Sequence, residues 1–201
     1  MEEKELLDLE NSFEELKILE LAKHLVLPIN AKIELWQEKI EKLKFPLWIK
    51  LNSSEHKAKI KAIERCFSWL DLEKKYSKLK KSFPDKKFIV QEDVSGVEII
   101  AGIKQDKTFG KVLLVGAGGS LAEIIKDTEF RVLPIEKTEI EEAIKQLKIY
   151  KILEEKQANI SKLISLVYDF SKLKIEEADL NPIIVNEKEA KVVDARLSLG
   201  E

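Results

Sequence analysis

The chain has 201 residues, 44% of them hydrophobic, enough for one or two compact units with a real core, and its 35 Lys and Arg against 37 Asp and Glu leave a formal net charge of −2. That near-neutrality excludes a nucleic-acid binder drawing its affinity from a dominant basic field. The single cysteine, Cys66, excludes an internal disulfide and a Cys/His metal cluster, while the absence of a run of roughly 18 apolar residues and the acidic N-terminus predict a cytoplasmic protein rather than an exported or embedded one.

Ser12 followed by Glu15 is a capping-box pattern, and Phe13, Leu16, Leu19 and Leu25 fall near one face, which predicts a helix from Ser12 closed by Pro28. His24 then lies near its C-terminus, where the helix dipole favours it. Trp36, Ile40 and Leu43 predict a second helix. Phe45 to Leu51 and Ile60 to Phe67 read as strands, and Leu72, Tyr76, Leu79 and Phe83 mark a further helix face ended by Pro84. Pro84-Asp85-Lys86 is the clearest internal boundary, so 1–87 is expected to hold the N-terminal helices and a smaller lobe, and 88–201 a larger lobe.

Beyond that boundary, Phe88 to Gln91, Val97 to Ile103 and Val112 to Val115 are β-branched runs between turn residues, suited to a mainly antiparallel sheet. Helices are expected around Ile140, Ile144 and Leu147, and again over Ile160 to Phe170. Two strands, Ile183 to Val185 and Lys191 to Asp194, close the chain around the turn Asn186-Glu187-Lys188-Glu189. The class is α+β in two lobes, and a cleft between lobes is a common ligand site.

Four features bear on chemistry. Gly116-Ala117-Gly118-Gly119 follows a strand-like run, so its N–H groups can approach an anion; it equally reads as a tight turn needing positive φ, and it matches neither a Walker loop nor GxGxxG. Asn181, in Asp179-Leu180-Asn181-Pro182, and Asp194 lie on successive segments and offer oxygen ligands of the kind Mg²⁺ takes; the alternative is an Asn-Pro turn and a surface Asp. Lys50 at a strand end is a phosphate-binding point charge or a solvated terminus. His56, beside Lys57 in the polar run from Ser53, is a covalent nucleophile or an ordinary surface histidine.

In order along the chain these pieces resemble the ATP-grasp β subunit of ADP-forming acyl-CoA (acetyl-CoA) synthetases. The resemblance is carried by Gln91-Glu92-Asp93-Val94-Ser95-Gly96-Val97-Glu98-Ile99-Ile100-Ala101-Gly102, Asp106, Phe109-Gly110, the Gly116 to Gly119 run, Glu123, Lys126-Asp127, Phe130-Arg131-Val132 and Pro134. Glu177 to Val185 and Val193-Asp194-Ala195-Arg196 are similar to the family's closing motifs, and Phe45 to Lys50 with His56-Lys57 to its strand-lysine and His-Lys elements.

The resemblance implies an ATP-grasp fold with a nucleotide cleft between two lobes. It implies that Lys50 touches the nucleotide phosphates, that the hinge Gln91, Glu92, Asp93 and Val94 recognises adenine through its backbone, and that Glu98 holds the ribose hydroxyls. Arg131 would neutralise phosphate charge, and Asn181 with Asp194 would bind Mg²⁺. The implied reaction is acyl-CoA + ADP + phosphate ⇌ acid + CoA + ATP, in which a CoA-binding α subunit supplies a phosphohistidine and His56 relays its phosphoryl group to ADP. The chain departs from the family where Ala58-Lys59-Ile60-Lys61-Ala62 replaces a Ser/Thr-Asp-x-Gly-Gly loop and where Glu154-Glu155-Lys156-Gln157 replaces an Arg-Gly element. Two alternatives therefore stand beside the working subunit: a degenerate ATP-grasp subunit with a structural or nucleotide-sensing role, and a subunit like that of succinyl-CoA synthetase.

Overall fold

The computed structural model describes residues 6–54, 62–119 and 126–198. Its first helix, α1, spans Leu9–Glu15 and ends earlier than the apolar spacing predicts. Ser12 lies inside it, fully buried, and its Oγ has no hydrogen-bond partner, so the expected capping box does not form. His24 and Leu25 belong instead to strand β1 (His24–Leu27), because pairing with a neighbouring strand outweighs the helical spacing of four leucine and phenylalanine positions. His24 accordingly lies on a strand beyond the end of α1 at Glu15, with Nδ1 at 3.1 Å from the Ala22 carbonyl.

The chain divides into two compact units, one of Asp8–Glu10 with Ala22–Asp93 and one of Met1–Leu7, Asn11–Leu21 and Val94–Glu201. The division falls at Asp93 and Val94 rather than after Lys87, because β4 (Phe88–Glu92) pairs with β1 and with β2 (Leu47–Leu51) in the smaller unit. With β3 (Ile63–Cys66) these strands form an antiparallel sheet in the order β1-β4-β2-β3. Alternation fixes its faces: Leu47, Ile49 and Leu51 of β2 and Phe88 and Val90 of β4 enter one core cluster, while Trp48, Lys50, Ile89 and Gln91 take the other face. A 3-10 turn (Ile33–Trp36) and the short α2 (Gln37–Glu41) stand where the second helix was expected.

Helix α3 (Trp69–Ser82) starts at Ser68, whose side chain accepts from the Asp71 N–H, and buries Leu72, Tyr76 and Leu79. Tyr76 meets Phe88 edge-on at 5.6 Å between ring centroids and donates its hydroxyl to the Ala31 carbonyl. Burial pushes the Cys66 thiol up to about 12, well above the ordinary range of a thiol. Cys66 should therefore resist a thiol reagent at pH 8 in the folded chain and react fast in denaturant; equal rates would show that the pocket is open. Because the folded pKa is raised, the thiol's stabilising contribution is present below the unfolded value of about 8.5 and is lost as pH climbs towards the folded one.

In the larger unit β5 (Val97–Asp106), β6 (Gly110–Ala117), β7 (Thr128–Val132), β8 (Glu177–Val185) and β10 (Ala195–Ser198) run in the order β10-β8-β5-β6-β7, with β9 (Ala190–Val192) also on β8. Every pairing between these strands is antiparallel. Helices α4 (Lys137–Gln146) and α6 (Ile160–Ser171) pack together, α4 on β6 and β7 and α6 on β9, and the short α5 (Tyr150–Glu155) packs on α4. Asp127 is buried and accepts the Lys148 and Ile149 N–H groups at 2.8 Å each, satisfying donors at the start of the α5 turn. Strands β7 and β10 and helix α5 are short elements that the sequence patterns did not single out. Among the described residues no helix is long and apolar enough to cross a membrane.

Candidate functional site

One face of the larger unit's sheet is covered by helices and the other is open. The register sets Gly102 of β5 opposite Asp179 of β8 and Leu114 of β6, Asp179 opposite Arg196 of β10, and Leu114 opposite Phe130 of β7. Directly opposed residues share a face and alternate residues follow them, so Glu98, Ile100, Asn181, Asp179 and Arg196 all belong to the open face. A concavity of about 500 Å³ lies there, with Ile100, Gly102, Leu114 and Phe130 as its apolar floor and Asp179 and Arg196 at its polar side.

The glycine run crosses this face. Gly118 donates its N–H to the Glu98 carbonyl at 2.8 Å, and Gly119 donates to Asn181 Oδ1 at 3.0 Å. A Cβ on Gly118 would stand 2.5 Å from the Ile99 carbonyl carbon. Gly119 has φ +62, and a Cβ there would meet Glu98 Oε2 at 1.4 Å. The turn reading of the run therefore holds at Gly119, which needs positive φ, while the Gly118 and Gly119 N–H groups are given to protein acceptors rather than left to an anion.

Asn181 and Asp194 face each other. The Asn181 N–H donates to the Asp194 carbonyl at 3.1 Å, next to the Leu180–Ala195 pair, although Asp194 itself falls between β9 and β10. The Asn181–Pro182 peptide is cis, and the register of β8 against β5 shifts at this point. Burial raises the Asp179 carboxyl above the usual carboxylate range; Arg196 opposes that shift and Asp194 adds to it. Among the described residues no group of three or more His, Cys, Asp or Glu side chains could hold a metal. The amide oxygen of Asn181 and the carboxylate of Asp194 nevertheless fit Mg²⁺, which takes one or two carboxylates and fills its remaining positions with phosphate oxygens and water. The Gly119 and Ala195 N–H groups, on Asn181 Oδ1 and Asp194 Oδ1, orient both side chains.

The other predicted residues separate. Arg131 lies opposite Leu113, which is buried, and so takes the helix-covered face. Its guanidinium donates to Glu129, to the Phe130 carbonyl and to Gln146 of α4. Arg196, which the motif contained without a role, takes the open face instead; the alternation of β10 against β8 is the signal that finds it. In the smaller unit Lys50 and Gln91 are buried together, with Lys50 Nζ donating to Gln91 Oε1 at 2.5 Å. The Glu92 and Asp93 N–H groups are already given to the Lys23 and Pro46 carbonyls, and the Asp93 carboxylate accepts from Trp48 Nε1 and Arg65. Val94 opens the larger unit, half-buried. His56 lies outside the described residues.

Two antiparallel sheets, with a glycine run and Asn181 on the open face of the larger, are the architecture of the ATP-grasp class. Residues 31–199 match the family model described as an ATP-grasp domain. An Archaeoglobus fulgidus acetate–CoA ligase (ADP-forming) I is 34% identical over 180 residues, covering 80% of this chain and 26% of that protein. The β subunit of a Pyrococcus furiosus acetate–CoA ligase (ADP-forming) II is 32% identical over 184 residues, covering 79% of this chain and 77% of that one. The dinucleotide-forming acetyl-coenzyme A synthetase 1 of Ca. Korarchaeum cryptofilum, in complex with coenzyme A and Ca-AMPCP, superposes with a TM-score of 0.84 at 25% identity over 99% of this chain and 95% of that chain. Another structure of that synthetase, with coenzyme A and Mg-AMPPCP, has its phosphohistidine segment pointing towards the nucleotide binding site. The chain belongs to the ATP-grasp family, in the branch that holds the β subunits of ADP-forming acetate–CoA ligases.

Proposed function

We propose that the chain is the nucleotide-binding subunit of an ADP-forming acyl-CoA synthetase, working in the cytoplasm as a hetero-oligomer with a CoA-binding α subunit. The observation that carries the reading is the meeting of Glu98, the Gly119 N–H and Asn181 in the larger unit, with Asp194 bonded through its backbone carbonyl to the Asn181 N–H. Glu98, exposed beside Gly119, accepts hydrogen bonds from the ribose hydroxyls. Lys50 directs its charge to the phosphates, and the segment Gln91 to Val94 borders the adenine. Asn181 and Asp194 hold Mg²⁺, which when bound offsets charge on the transferring phosphoryl group.

His56 carries the phosphoryl group in this reading. Its neutral imidazole attacks the phosphorus of the partner's phosphohistidine; a P–N bond forms at His56 as the partner's P–N bond breaks. The terminal β-phosphate oxygen of ADP then attacks, the His56 P–N bond breaks, and ATP leaves. Arg196, on the open face, takes the charge-neutralising role in this reading, and Arg131 lies on the helix-covered face. Calorimetry of MgATP binding to the chain tests this: wild type should bind, Arg196→Ala should bind at least about tenfold more weakly, as for a lost charge-assisted contact, and Arg131→Ala should match wild type. A folded wild-type chain that binds no MgATP at millimolar concentration would overturn the reading, and an Arg131→Ala loss without an Arg196→Ala loss would reverse the assignment.

A further inference from the structure

We propose that Gln91 is a positioning residue of the nucleotide site, whose side-chain oxygen fixes the Lys50 ammonium and whose side-chain N–H is completed by a phosphate oxygen of the nucleotide. The inference rests on the nucleotide reading above and gives Gln91 a side-chain role at the phosphates in addition to the place of its segment beside the adenine.

Gln91 is 0% exposed and Lys50 is 3% exposed. Both lie on central strands, β4 and β2, on the sheet face opposite the leucine and isoleucine core, with Trp48 opposite Gln91 and Ile89 opposite Lys50. Lys50 Nζ donates to Gln91 Oε1, and Gln91 Nε2 has no hydrogen-bond partner. The direction of the amide is forced: an ammonium has donors only, so it must meet the oxygen, and turning the amide over would set N–H against N–H. The orphan is therefore the donor end of Gln91.

A buried donor without a partner is disfavoured, and native proteins keep few of them without a reason. Apolar residues at both positions would complete this sheet face with no orphan. The unused N–H and the ammonium belong to one cluster, so a single incoming acceptor can meet both. A phosphate oxygen suits that geometry, being anionic and rich in lone pairs, whereas a purine ring nitrogen offers one lone pair and satisfies one donor.

The test uses the full chain, with MgATP and magnesium inorganic triphosphate as calorimetric probes and thermal melting without either. Gln91→Glu replaces the orphan donor with an acceptor and gives the ammonium a charged neighbour. It should melt at or above the wild-type temperature while binding both probes at least tenfold more weakly. Gln91→Leu should also lose affinity for both probes, and Gln91→Asn should recover none of it, because the shorter amide cannot reach Lys50. Wild-type affinity in Gln91→Glu overturns the proposal. So does a loss confined to MgATP, which would place the contact on adenine, and so does a melting temperature that falls together with affinity, which would make Gln91 a folding residue only. Failure of the wild-type chain to bind either probe rejects the nucleotide reading itself, and is thereby distinct from those outcomes.

Discussion

His56→Asn is expected to abolish ATP formation from acyl-CoA, ADP and phosphate in the complex reconstituted with a CoA-binding subunit, by on the order of 10³-fold or more, while ADP affinity stays within about twofold of wild type. The asymmetry follows from the chemistry. An imidazole that accepts and passes on a phosphoryl group acts in the covalent step alone, and an Asn side chain has no nitrogen lone pair with which to replace it. Lys50→Ala is the contrast, because removing a phosphate-directed ammonium weakens binding as well as turnover. Acid-labile phosphate on the wild-type chain, absent from His56→Asn, is the direct signature. An active His56→Asn complex would remove the relay role. The sequence around His56 also sharpens the alternative: Ala58-Lys59-Ile60-Lys61-Ala62 supplies charge where the family supplies glycines that let a loop close on phosphates. A wild-type chain that binds MgADP, takes up no acid-labile phosphate and shows no turnover with its partner would establish the degenerate subunit.

Much of the architecture is legible from periodicity. The alternation through Val97 to Ile103 and Val112 to Val115 fixes two strands, and the spacing of Leu72, Tyr76, Leu79 and Phe83 fixes α3 up to its last turn. The expected early helix runs past the real one because Leu16, Leu19 and Leu25 fit a helical face as well as they fit what the chain builds, a short helix and then an edge strand whose partner is far away in sequence. Side-chain faces were harder to read than elements. Arg131 and Arg196 both sit in family motifs, yet only the pairing register tells which shares a sheet face with Asp179, and that register shifts on β8 at Asn181–Pro182. The Lys50–Gln91 contact joins residues 41 apart in sequence, so the strand-end lysine was visible as a candidate while its burial and its partner were not.

Gly118→Ala should damage both stability and the site. The added Cβ would stand 2.5, 2.7 and 2.9 Å from the carbonyl carbon, oxygen and nitrogen of Ile99. Ile99 cannot retreat, because β5 is the central strand, held by β8 on one side and β6 on the other. The glycine run must lift instead, breaking the Gly118 N–H bond to the Glu98 carbonyl and drawing the Gly119 N–H from Asn181. Overpacking of this kind costs roughly 1–3 kcal/mol, and the loss of orientation at Glu98 and Asn181 should weaken MgATP binding in parallel. Gly110→Ala separates crowding from backbone conformation, since Gly110 has φ +77 with open space around its Cβ position. Its penalty should be limited to the left-handed backbone, about 1–2 kcal/mol, with nucleotide affinity unchanged. Gly119→Ala falls between them: its Cβ meets the flexible end of Glu98 rather than backbone, so the carboxylate can swing aside and affinity should fall further than stability. Denaturant unfolding and calorimetry on the three variants measure both quantities, and a Gly118→Ala chain with wild-type stability and MgATP affinity would show that the run does not pack on β5 as described.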